Sequence, residues 1–134
     1  ARGPRAALAA PRGAPRVRAV AERWIDWFGR ANPLRGCFFL SLASEYDDRP
    51  GAVRDALVQS QRAWRDFLVG AAQLAIDQGH FRADLDPDQF AFEFSGIGMS
   101  LQFSAKLVAD PLALDRARRA FDQLITRSSV SESV

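Results

Sequence analysis

Only one cysteine, one histidine, one methionine, one tyrosine and one lysine occur in the 134 residues. The single Cys37 cannot close an intramolecular disulfide, and no Cys or His recurs at the spacing of a zinc site. This thiol usage suits a reducing compartment, and a buried inert thiol describes Cys37 better than a sensor does. No apolar run approaches the roughly 20 residues needed to span a bilayer, and the amino-terminal residues lack the apolar core of a secretion signal. A cytoplasmic protein with no membrane partner, no metal and no cofactor is expected. Catalytic constellations are missing too. Glu22, Asp26, Glu45 and Glu93 are scattered, with no matched base beside them and no glycine-rich phosphate loop, so no enzyme is expected. His80 falls in a polar connection and is expected to be solvated.

What remains is ordinary for a folded domain: 48% hydrophobic and 25% charged residues, in a length suited to a single core. Of the 18 basic residues all but Lys106 are Arg, and five of them lie in residues 1–18, where no acid occurs. Beyond that arm, 13 basic residues meet 16 acidic ones, which argues against a uniformly nucleic-acid-binding surface. Pro4, Pro11 and Pro15 interrupt the arm too often for a long helix. Residues 1–16 therefore read as an Arg/Pro-rich linker or the end of a preceding helix. The start at Ala1 without Met leads us to expect further chain upstream.

Helical spacing begins after Pro15, with Val17, Val20, Trp24, Trp27 and Phe28 at steps of three and four. The apolar run Cys37 to Ala43 is expected to be a second, buried helix. From Pro50 to Gln78 a long helix carries Val53, Leu57, Ser60, Trp64, Phe67, Ala71 and Leu74 along one seam, widened by Ala56, Ala63 and Leu68. Gly79 is its expected C-cap, and Pro87 opens the next helix. A last helix near Leu112 to Thr126 sets Leu114, Ala117, Phe121, Leu124 and Ile125 against Arg116, Arg118, Arg119 and Asp122. Residues 128–134 are Ser-rich and expected to be disordered. The fold class is all-α, a bundle of about five main helices spanning residues 17–127.

Residues 88–109 carry two apolar stripes. Phe90, Phe94, Ile97, Leu101 and Val108 form one; Phe92, Gly96, Met99, Phe103 and Leu107 form the other. A helix apolar on two sides must be covered on two sides, by its own core and by a second subunit. The last two helices of each of two chains would make a four-helix interface. The expected interface residues are Phe90, Phe94, Ile97, Gly98 and Leu101, with Leu114, Ala117, Phe121 and Leu124. On this reading, Arg at Phe94 or Phe103 yields monomers.

The run from Gly36-Cys37-Phe38-Phe39-Leu40 through Ser44-Glu45-Tyr46-Asp47-Asp48-Arg49-Pro50-Gly51, followed by the long helix, resembles the C-terminal domain of TetR-family transcriptional regulators. The connection Gly79 to Pro87 is similar to the one before that family's dimerisation helices. The resemblance covers roughly Val17 to Ile125, with no helix-turn-helix segment present. It implies the regulatory part of a bacterial repressor that homodimerises, takes a small apolar or aromatic effector, and touches DNA only through a preceding domain. Candidate effector contacts are the bulky residues Trp24, Phe28, Phe39, Leu42, Tyr46, Trp64, Phe67, Leu68, Met99 and Phe103. A purely structural dimerisation module with no ligand is the alternative.

Overall fold

The computed structural model describes residues 11–29 and 51–130, and within them the chain forms four α-helices and no strand. The expected helix over Cys37 to Ala43 lies outside the described residues.

Helix α1, Ala14–Gly29, starts where Gly13 takes φ +99°. The Gly13 carbonyl accepts the N–H groups of Arg16 and Val17 at 3.1 and 3.2 Å, and Pro15 fits a first turn in which its missing N–H costs nothing. Val17, Val20, Ala21 and Ile25 form the buried face, and Trp24 is half-buried beside them.

Helix α2, Ala52–Asp77, is the longest element at 26 residues, about 39 Å at 1.5 Å per residue. Its buried positions are Leu68, Ala71, Ala72 and Ala75, all in its carboxyl-terminal half. The seam is therefore rotated and shortened relative to expectation: Val53 is 45% exposed, and Ala56, Ser60 and Ala63 are exposed. Alanines at 71, 72 and 75 let the neighbouring helices approach the backbone closely.

Both expected helix boundaries on either side of the following turn are found. Gly79, at φ +76°, ends α2. Its N–H donates to Ile76 O, and the His80 N–H donates to Ala75 O, each at 2.9 Å, the paired closure that a left-handed residue after a helix permits. Asp86 caps helix α3, Pro87–Gln102, by accepting from the N–H groups of Asp88 and Gln89 at 3.0 and 3.4 Å. Between them Phe81 turns inward, only 1% exposed, against Phe90.

Helix α3 packs between α2 and α4, while α1 lies chiefly along α4 and also touches α2 and α3. It runs directly into a π-helical turn, Phe103–Leu107, where the Val108 N–H reaches back five residues to Phe103 O at 3.1 Å. Ala109, at φ +55°, then breaks the helix. Asp110 accepts the Leu112 N–H at 2.9 Å and pairs with Arg116 at 2.7 Å, which fixes the start of α4, Ala113–Ser128. That helix buries Ala113, Ala117, Phe121, Leu124, Ile125 and Ser128. Ion pairs Arg18–Asp122 and Arg118–Glu22 join it to α1 at 3.2 and 3.6 Å; both are solvent-exposed and contribute only tenths of a kcal/mol.

Two expectations change at the end of the bundle. His80 is half-buried, and its Nδ1 accepts the Ala14 N–H at 3.0 Å. Residues 128–130, expected in the tail, are held: the Ser128 hydroxyl donates to Leu124 O, Ser129 pairs with Phe81, and the Val130 N–H donates to His80 O. Residues 131–134 lie outside the described residues.

Phe94 is completely buried at the centre of this packing. Truncating it to Ala is expected to lower unfolding free energy by about 3–5 kcal/mol in urea titration.

Candidate functional site

Four of the ten residues expected to line a pocket come together at the crossing of α1 and α2. The Trp24 and Trp64 rings meet edge-to-face, centroids 5.1 Å apart and planes at 81°. Phe67 stacks on Trp64 at 5.6 Å and 21°. Leu68 is buried next to them in the sequence and belongs to the same core. Trp24 also approaches Phe94 at 5.9 Å and Phe121 at 6.4 Å, while Phe94 and Phe121 lie 4.6 Å apart. Tilted and edge-on contacts of this kind bring the positive edge of one ring to the negative face of another. The half-buried ring of Trp24 thus rests on the fully buried rings of Phe94 and Phe121, with Trp64 against its edge and Phe67 stacked on Trp64.

The remaining expected pocket residues are placed elsewhere. Met99 and Phe103 are 48% and 43% exposed on α3 and in the turn after it, not among these rings. Phe28 belongs to α1, but its side chain lies outside the described residues, as do Phe39, Leu42 and Tyr46.

Most residues expected at an interface are interior to the single chain. Phe90, Phe94, Leu101, Ala117, Phe121 and Leu124 are each no more than 5% exposed. Gly98 is also buried, because the indole of Trp24 lies where a Cβ would project. The element packed against Gly98 is α1 of the same chain. Ile97 and Leu114 are half-buried against the core.

The face of α3 left to solvent is its other stripe. Phe92 is 74% exposed, Met99 and Phe103 nearly half, and Leu107 73%; Val108, expected on the stripe of Phe90 and Phe94, is 69% exposed instead, because it follows the π-helical turn rather than continuing α3. Beside this stripe an open groove of about 510 Å³ runs between α3 and α4. Small or short side chains line it, including Gly96, Ser100, Ala117 and Ala120. The Glu93–Arg127 and Asp110–Arg116 ion pairs also border it. Large exposed apolar groups and a small-residue furrow therefore lie side by side. Spacing had identified both stripes of α3; their assignment to inside and outside required knowing where Trp24 sits.

Among the described residues, no group of three or more His, Cys, Asp or Glu side chains could hold a metal ion. No described helix is long and apolar enough to cross a membrane. The family described as tetracyclin repressor-like, C-terminal domain, matches residues 13–121. No curated protein matches the chain.

Two glycines of α3 report on these placements. At Gly98 a methyl group would overlap the rigid Trp24 ring, whereas at Gly96 no atom lies within 4 Å of an added Cβ. Gly98→Ala is expected to cost about 1–3 kcal/mol from overpacking. Gly96→Ala should gain up to about 1 kcal/mol of helix propensity, both read by urea titration in dilute solution.

Proposed function

This chain belongs to the tetracyclin repressor-like C-terminal domain family, and from that premise we propose that it pairs with a second copy and senses a small molecule for a transcriptional repressor. Domains of this family are in general regulatory, homodimerising and non-enzymatic. The effector-binding and pairing unit is residues 17–127. A DNA-reading segment carried upstream of α1 receives the signal, and the whole works in the cytoplasm.

The observation that carries pairing is the exposed stripe Phe92, Met99 and Phe103 beside the furrow of Gly96, Ser100, Ala117 and Ala120. A two-fold axis through this face would set the large groups of each copy into the furrow of the other, an arrangement open only to a self-complementary surface. Aromatic and Met side chains are also the types enriched in the buried centres of interfaces. The interface proposed here uses α3 and α4, as expected from sequence, but turns to the opposite stripe of α3.

The effector is a small apolar or aromatic compound, taken against Trp24, Trp64 and Phe67. These half-buried rings offer faces for stacking and little polar chemistry. Binding would act by linkage: the effector favours whichever helix arrangement holds it more tightly, and its differential affinity sets the shift delivered upstream. The closely packed rings beneath also suit a structural dimer with no ligand. A panel of aromatic compounds separates the two readings. Sensing predicts a rise in melting temperature with a change in Trp fluorescence for some of them, and a flat response throughout supports the structural module.

Replacing Phe92 or Met99 by Arg should weaken self-association by roughly 30-fold or more in analytical ultracentrifugation, with the circular dichroism unchanged. Phe94→Arg should instead unfold the chain, since it puts a charge in the core. A monomeric parent chain would overturn the pairing assignment.

A further inference from the structure

One end of the bundle is tied together by a single short turn. The His80 ring accepts the Ala14 N–H through Nδ1 at 3.0 Å, so a side chain from the α2–α3 turn caps the first residue of α1. Gly13 permits the approach: it is buried at φ +99°, and an added Cβ would overlap the imidazole. On the other side of the turn, the His80 carbonyl accepts the Val130 N–H at 3.0 Å, and the Arg82 N–H donates to Ser128 O at 2.9 Å. The turn thus holds both the entry to α1 and the exit from α4.

The capping contact depends on the charge of the ring. A neutral imidazole has one nitrogen able to accept a hydrogen bond, whereas a protonated one has two donors and no acceptor. Protonation would set an N–H against the Ala14 N–H and place a positive charge at the positive end of the α1 dipole. The charged residues of the segments that meet at His80 are Arg12 and Arg16 at the start of α1, Asp77, Arg82 and Asp84 along the turn, and Arg127 at the end of α4. Asp77 accepts from Gln73, Asp84 pairs with Arg82, and Arg127 pairs with Glu93. Among the described residues no carboxylate accepts a hydrogen bond from His80. The half-buried ring is open to solvent protons.

We propose that His80 is a proton-sensitive clip: the neutral ring fastens the start of α1 to the α2–α3 turn, and protonation releases it, loosening the start of α1. The stabilising contact is present at high pH and lost as the ring takes up a proton. That the release alters signalling rests on the regulatory reading above; the clip itself rests on geometry alone and is tested separately.

His80 is the only histidine, so its ring protons report its titration without assignment ambiguity. In the full chain, amide exchange followed by NMR, corrected for the intrinsic pH dependence, should show protection of Ala14 falling roughly fivefold as the ring protonates, the worth of one hydrogen bond. His80→Asn, which keeps an acceptor near the δ position but does not titrate, should retain protection at both ends of the range. His80→Ala should lose it throughout. Ala14 protection unchanged across the ring titration, or the same pH dependence in His80→Asn, would overturn the clip. Either result leaves the pairing and effector tests untouched.

Discussion

The indole of Trp24 lies over Gly98, in space that any other residue at 98 would fill with a side chain. This contact brings α1 against the backbone of α3. From the same position Trp24 reaches Trp64 on α2, Phe94 on α3 and Phe121 on α4. One side chain thereby meets a ring from each of the other three described helices. The dispersion and ring-edge contacts are individually small, but they all depend on the depth that glycine allows. A side chain at 98 would lift α1 and separate the rings together.

The same contact settles which way α3 faces. Both stripes of that helix are rich in large apolar groups, so hydrophobicity alone leaves its rotation undecided. With Trp24 over Gly98 and Phe121 against Phe94, the Phe90–Phe94–Leu101 side is turned inward. Phe92, Met99 and Phe103 are then left outside, beside the α3–α4 furrow. A domain assembled this way fills its own core with one stripe of α3 and leaves a second apolar stripe at the surface.

Much of this was legible from local chemistry. Gly79 and Asp86–Pro87 mark helix ends by the backbone angles and hydrogen bonds they permit, and both marks hold without reference to distant residues. The face of α1 was found in part: Val17 and Val20 are buried as spaced, but Ala21 and Ile25 complete it. The α2 seam was harder, because Ala71, Ala72 and Ala75 create a contact by being small, which a search for large apolar groups passes over. Of the candidate site, the ring cluster of Trp24, Trp64, Phe67 and Leu68 was foreseen as a set of bulky inward groups. The capping role of His80 was not, since Ala14 is 66 residues away along the chain and nothing near His80 announces that partner.

The π-helical turn at Phe103–Leu107 gives the corner between α3 and α4 a particular tolerance. Adding or removing one residue in a helix rotates everything beyond it by about 100°, which would exchange inner and outer faces. Here the wider turn comes after the last buried residue of α3, and Ala109 breaks the helix before α4 begins. A change in length at this corner would not be inherited as a phase error by either helix. It is a natural expansion joint, where chain length can vary while both facing surfaces keep their register.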